Sequence, residues 1–430
     1  MNPEFRRQLW LGFSPTRLVL LPLLLSACFA AAFMTATHTA APALAITGAA
    51  LFAVLVWGMG TIAVGASVLD EVTDRTWDQQ RMSAMQPWAM TWGKLGGASA
   101  FGWYGGALCL AVAVPAAFLN GHGDKAFQVA LSAMLAGLFL QALLVAVNLQ
   151  LLKTGGAMAR RGGIWVLIVL ALQFVTPLMR MGVQGQVTWW GQSFKPLNFG
   201  LASMVLFAAW ALVAAWRSMA EVLAVRQLPW GWPALALLIT AYLSGFAQTH
   251  QMATLGVVGL VTCAVLTYFA LLSEPQPRPL WQRVVTRITS GQWRAALLQV
   301  PRWPTTLLLA VPFALVCAAA LSQPDATPWP AAQQVMLHPI SVVLLMVRDC
   351  ALALFFAFAV KNKRAITTFL LLMVVLYGVL PWLVGATGSN TLLGLVQPLL
   401  AQSNASILAA AIHAALALAL LRWRWRATAP

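Results

Sequence analysis

Four of the ten acidic residues in this chain, Asp70, Glu71, Asp74 and Asp78, fall within nine consecutive positions, with Arg75, Trp77 and Arg81 among and after them. Carboxylates interleaved with basic and aromatic side chains on one short segment suit a rigid contact with another protein. They also suit a solvated loop that fixes membrane orientation. A second ionisable pair, Arg348 and Asp349, lies inside an apolar run, where charge is costly unless paired or wetted. Its chemistry is that of a substrate or gating contact, of a polar clamp between helices, or of a remnant of an acidic segment nearer the membrane surface. Adjacent helical residues point about 100° apart, so each member is expected to face a different partner. Gln141 and Asn148, seven residues apart in another apolar run, share a helical face that could line a polar path or bond across helices.

Other chemistry lacks its signature. Gly93-Lys94 is followed by Leu95 and lacks the earlier glycine of a phosphate-binding loop, so ATP is not expected to bind this chain in that manner. The five histidines are scattered singly, with no metal-ligand spacing and no nucleophile beside a base. The five cysteines all fall in apolar runs and read as small buried hydrophobes. No enzyme activity, metal or cofactor is expected of the chain itself.

The elements that must position these residues are set by composition. Of 430 residues, 61% are hydrophobic and 8% charged, far from the globular averages of about 45–50% and 25%. Apolar runs of bilayer length begin near residues 18, 43, 95, 127, 163, 197, 230, 254, 304, 338, 365 and 404, which predicts about twelve transmembrane helices and no soluble domain. The net charge of +16 would suggest nucleic acid on a soluble protein, but here it reports topology. With the N-terminus cytoplasmic, the lysines and arginines lie on the inner side except Lys125, Arg180 and Lys195 outside and Arg348 within a span. Both termini are therefore expected inside a multi-pass cell (inner) membrane, and no nucleic-acid partner is expected. Leu25-Ser26-Ala27-Cys28 has the form of a lipoprotein cleavage box, yet cleavage there would destroy the first span and invert this charge pattern.

Residues 2–13 start with a capping Asn2, then Pro3 and Glu4, and place Phe5, Leu9 and Phe13 on one face, which predicts a helix lying in the inner membrane surface. The link 69–94 is longer than a turn needs. Its first part reads as an amphipathic helix with a Glu71–Arg75 ion pair, and Pro87 starts a new helical segment leading into the third span. Gly96, Gly97, Gly102, Gly105 and Gly106 in that span allow close helix packing. The segment 184–195, with Trp189, Trp190 and Phe194, reads as a short helix or re-entrant element at the outer interface. Residues 281–300 repeat the interfacial pattern, and Pro304-Thr305-Thr306-Leu307 echoes Pro15-Thr16-Arg17-Leu18.

The stretch Asp70-Glu71-Val72-Thr73-Asp74-Arg75-Thr76-Trp77-Asp78, continuing through Gln80-Arg81-Met82-Ser83 to Pro87 and Gly93-Lys94, resembles the region after the second helix of ABC-2 type transporter permeases. The family usually has Gly where Arg75 stands. The resemblance covers roughly residues 2–217 and implies an elbow helix at 2–13 and a coupling helix within 69–94. It also implies an ABC ATPase subunit as partner, carrying ATP and Mg, with room for a second permease or accessory subunit beside membrane lipid. The expected fold is an all-α polytopic membrane protein with two parallel six-helix halves, 1–217 and a degenerate 218–430 with its elbow at 281–300. The implied function is that of a permease exporting an unidentified substrate. Competing readings are a twelve-helix secondary transporter of the major facilitator kind and a non-transporting membrane assembly protein.

Overall fold

The computed structural model describes residues 2–36, 39–74, 76–83, 85–153, 185–225, 227–248, 251–321, 338–359, 364–398 and 404–427. Among these residues ten helices are long and apolar enough to cross a membrane. Of the twelve expected spans, the one near residue 163 lies outside the described residues. The one near 230 is a helix of 14 residues, Gly231–Ser244, roughly 21 Å long and short of the ~30 Å hydrocarbon layer. The chain divides into two compact units, residues 1–187 with 193–227, and residues 188–192 with 228–430.

In the first unit, α1 (Pro3–Gly12) forms because Asn2 accepts hydrogen bonds from the Glu4 and Phe5 amides and proline occupies the first turn. α2 (Pro15–Met34) buries only Leu25, and Val19 and Leu23 are exposed, as suits a helix surrounded by lipid. α3 (Ala40–Thr73) is 34 residues long, roughly 50 Å, so its last turns carry Asp70 and Glu71 beyond any hydrocarbon layer. Two short helices follow, α4 (Trp77–Arg81) and α5 (Pro87–Trp92). The latter runs through a π-helical turn, Gly93–Gly97, into α6 (Ala100–Leu119).

The expected amphipathic helix in this link is instead split. Asp70 and Glu71 end α3, Asp74 is its C-cap, and Asp78 lies in the first turn of α4. The Thr76 amide and hydroxyl both bond the Glu71 carbonyl, which closes the chain over the end of α3 in place of another helical turn. The core lies where α3, α7 (Gly123–Lys153) and α8 (Pro196–Val222) meet. Val64, Val68, Leu149 and Met204 fill it, and Ala208 and Ala215 let the long helices approach.

The segment expected as a short helix near 184–195 is a two-stranded hairpin, β1 (Val187–Trp189) and β2 (Gln192–Phe194). Trp190 and Gly191 make its turn with φ of 50° and 75°, a left-handed pair that reverses extended strands and breaks a helix. Within the second unit the hairpin tip covers the end of α9 (Gly231–Ser244). The Trp189 indole donates to the Tyr242 carbonyl at 3.0 Å and the Trp190 indole to Ala241 at 3.2 Å. The Trp189 bond serves a carbonyl in the last turn, where helix carbonyls lack in-helix partners, and the Ala241 carbonyl, which also accepts from the Gly245 amide, gains a second donor.

The second unit continues with α10 (Gln251–Ser273), α11 (Arg278–Thr289), α12 (Trp293–Leu297), α13 (Trp303–Leu321), α14 (Pro339–Ala357), α15 (Ala365–Gly385) and, after a short helix, α16 (Asn404–Ala427). A Cβ on Gly256 would lie 2.7 Å from the Cys317 backbone, so α10 and α13 touch main chain to main chain. All five cysteines are free thiols, four of them buried, with Cys28 on the exposed face of α2.

Candidate functional site

The residues gathered at the base of the first unit's spans form a closed ionic knot. α1 turns its polar side to the protein: Glu4 and Gln8, one turn apart, are buried, whereas Trp10 and Leu11 are 84% and 68% exposed. The π-helical turn before α6 supplies the matching surface. A Cβ on Gly93 would stand 2.7 Å from the Glu4 side chain, and one on Gly97 would stand 2.6 Å from Gln8. Glycine at both positions lets α1 lie against the backbone, and between them Lys94 turns inward with 0% exposure. Asn2 adds a bond from its side-chain amide to the Ala89 carbonyl in α5.

Lys94 donates to Glu71 at the end of α3 and lies 3.4 Å from Glu4 Oε1, with its ammonium 5.3 Å from the Trp77 ring centroid. Arg7 grips Glu4 through Nε and Nη2, both at 2.9 Å, and its Nη2 also reaches Glu71. Gln8 Nε2 donates to Glu4 at 2.9 Å and to Glu71 at 3.4 Å. Two carboxylates and two cations thus cancel in charge, the condition under which buried ions are tolerated. Burial alone would raise the Glu4 pKa, but the Arg7 hydrogen bonds, the Lys94 charge and the Gln8 bond together hold it below its ordinary value. The Arg7 pKa is raised, chiefly by its hydrogen bonds to Glu4. The knot joins the N-terminal helix to the end of one span and the start of the next.

This arrangement divides the residues of the acidic link. Glu71 and Trp77 face inward, and Glu71 pairs with Arg7 and Lys94. Arg75, expected as the partner of Glu71, lies outside the described residues, as does the side chain of Arg81. Asp70, Asp74 and Asp78 are exposed, with Met82 81% and Trp88 49% exposed on the same link. In the sequence Glu4 reads only as a first-turn acid and Lys94 only as part of Gly93-Lys94, and neither they nor Arg7 and Gln8 read as partners of Glu71. Their signal is the matching spacing, Glu4 and Gln8 four apart against Gly93 and Gly97 four apart.

Gln141 and Asn148 bond across helices. Gln141 donates to the Val56 carbonyl and accepts from the Trp103 indole, both at 3.1 Å, and Asn148 donates to the Gly65 carbonyl at 3.3 Å. Val56 sits in a π-helical stretch of α3, Ala53–Gly60, whose wider turn leaves a carbonyl for an outside donor.

In the second unit Arg348 and Asp349 pair with each other, contrary to the expectation that they face apart: Arg348 Nε donates to Asp349 Oδ1 at 2.8 Å. The long arginine side chain folds back along its own helix, which a direction argument from Cα positions does not capture. The second carboxylate oxygen accepts from Tyr268 of α10 at 2.7 Å and from Tyr377 of α15 at 2.6 Å. The guanidinium lies 4.9 Å from the Tyr377 ring centroid and 3.5 Å from His413 Nδ1 of α16. Four helices therefore meet at one carboxylate and its arginine. The tyrosines and His413 were not foreseen, because each is single in an apolar run.

These features define a predominantly helical, multi-pass membrane protein whose described residues hold a polar knot at the ends of the spans and polar contacts inside them. Comparison with known proteins adds no identity: no family model, no curated protein and no solved structure matches the chain.

Proposed function

We propose that the chain is the membrane-spanning permease subunit of an ATP-driven transporter of the ABC-2 kind. In this reading it exports its substrate from a cell whose inner membrane it spans about twelve times, in two parallel six-helix halves with both termini cytoplasmic. ATP and Mg belong to a separate ATPase subunit. The observation that carries the proposal is the union of the elbow with the acidic link. The segment bearing exposed Asp70, Asp74 and Asp78 is tied through Glu71 and Lys94 to α1, α3 and α6 at once. A push on that link moves two spans and the elbow together instead of bending a loop, which is what mechanical coupling requires. The test is purification of the tagged chain with its partners, ATP hydrolysis and transport measured together, and the double variant D74K/D78K. Loss of a stoichiometric ATPase and of transport is expected; retention of both rejects the reading.

A second reading, gradient-driven transport by a lone chain, is favoured by the Arg348–Asp349 cluster, since ionisable groups inside a span commonly mark ion pathways. It predicts that no ATPase accompanies the chain and that collapse of the ion gradient stops transport. The same purification separates the two readings.

A further inference from the structure

Three spans of the second unit end together at one membrane face. Arg278, at the start of α11, donates to the Trp425 carbonyl in the last turn of α16 at 2.9 Å and stacks 5.5 Å from its ring centroid. Glu274, just past α10, pairs with Arg302, just before α13, at 3.0 Å. α11 lies against this junction through Val284, which is buried, and Trp281, whose ring centroid is 5.6 Å from that of Trp303. A turn at Gly291, with φ of 76°, reverses the chain into α12, and Arg287 closes the pair by donating to the Ala295 carbonyl at 3.0 Å.

The surface left outward is cationic and apolar together. Arg283 and Arg294 on the helical pair and Arg422 and Arg426 near the end of α16 are exposed. Trp293 and Leu297, one turn apart, are 61% and 47% exposed, and Trp423 is 60% exposed. The nearest acid in sequence, Glu274, is engaged by Arg302. In water this combination would leave large apolar side chains unshielded beside concentrated like charge. At a bilayer surface both demands are met, because tryptophan rings sit at headgroup level and guanidinium forks match phosphate oxygens.

We propose that this face of the second unit is a binding surface for anionic phospholipid, with headgroup phosphates held by Arg283, Arg294, Arg422 and Arg426 and the acyl chains covering Trp293 and Leu297. The inference goes beyond the transport reading and does not depend on it. The occupant is the lipid and not free phosphate, since the apolar side chains lie beside the arginines on the same helical pair.

The test uses the full chain in detergent micelles, with lipid adducts counted by native mass spectrometry as phosphatidylglycerol or phosphatidylcholine is titrated in. The intact chain is expected to retain phosphatidylglycerol preferentially. Each surface charge is worth roughly a fivefold change in membrane affinity, so R283Q/R294Q/R422Q/R426Q should lose roughly several hundredfold. The lysine version of the same four changes should keep most of the preference, and unchanged thermal unfolding in lipid-free detergent shows that the glutamine variant is folded. Equal retention of the two lipids by the intact chain overturns the proposal, as does a preference that survives in the folded glutamine variant. Complete competition by inorganic phosphate at matched concentration overturns it in favour of a free-anion site. A soluble acidic subunit that covers the four arginines in the purified complex overturns it in favour of protein docking.

Discussion

Replacement of Lys94 by methionine tests whether the ionic knot holds the elbow. The substitution keeps an unbranched side chain of similar length and removes the ammonium that contacts Glu71, Glu4 and the Trp77 ring. Because Lys94 has no exposed surface, water does not replace it, and among the described residues the knot is left with two carboxylates against Arg7. Breaking a buried pair by removing one partner costs about 3–5 kcal/mol. Arg7 is 40% exposed at its side chain and still bonds both carboxylates, which favours the lower end, about 3 kcal/mol. Adding Glu71→Gln restores neutrality, since Glu4 and Arg7 remain paired, and the double variant should recover about 2 kcal/mol relative to the sum of the single changes. Hydrogen exchange of the α1 amides in the full chain reads this directly. A loss of about 3 kcal/mol appears as roughly a hundredfold loss of protection between residues 3 and 12 in K94M, with partial recovery in E71Q/K94M. If K94M leaves α1 protection within about threefold of the parent, or if the two changes add without coupling, the knot does not anchor the elbow.

Three further outcomes follow from the same contacts. Glu4 has a lowered pKa in the folded chain, so its contribution is complete above the ordinary value of 4.5 and is lost as pH falls through the lower folded value; α1 protection should therefore hold from neutrality to mildly acidic pH and fall below it, a dependence that E4Q removes. Gly97→Ala would push a Cβ to 2.6 Å from Gln8 and lift α1 at a cost of about 1–3 kcal/mol, whereas Gly12→Ala, with nothing within 4 Å, should leave exchange at residues 3–11 unchanged. Gln141→Leu strands the Val56 carbonyl and the Trp103 indole at once and should lower unfolding stability by about 1–3 kcal/mol, measured by thermal denaturation in detergent.

Helix type and approximate span limits were legible because bilayer length and apolar composition are local properties. Ten of the expected runs appear as spans, Asn2 and Pro3 start α1, and Pro87 starts α5. The elbow was legible as a helix but not in its facing. A stripe of Phe5, Leu9 and Phe13 reads as the anchoring face, yet these residues are half-buried, with Phe5 near Gly96 and Phe13 near the Phe101 and Tyr104 rings, while Glu4 and Gln8 are the buried pair and Trp10 and Leu11 are the exposed apolar residues. Glu71 was assigned a partner four residues away, the shortest-range option. Arg75 lies outside the described residues, and among those described the partners of Glu71 are Lys94 and Arg7, brought together by glycine-permitted backbone contact that no charge pattern encodes. The hairpin at Trp190 and Gly191 was missed for a different reason, since tryptophan in a left-handed turn is contrary to its usual preference and tertiary bonds to the end of α9 stabilise it.

Three of the polar contacts coincide with widened helical turns. The Val56 carbonyl bound by Gln141 lies within Ala53–Gly60, Lys94 within Gly93–Gly97, and Tyr377, which donates to Asp349, within Val375–Val379. A π-helical turn inserts one residue, which rotates the following side chains by roughly 100° and weakens the local main-chain bonding. Inside a span that weakening cannot be repaired by water, and Lys94, with no exposed surface, is closed to water as well, so a side chain must supply the missing partner or the rotated residue must find one of its own. Gln141 does the first, and Lys94 and Tyr377 do the second. The bulge and the bond across helices are therefore one device. The bulge aims a polar group that a regular helix would send toward lipid, and the bond fixes the bulge at that position.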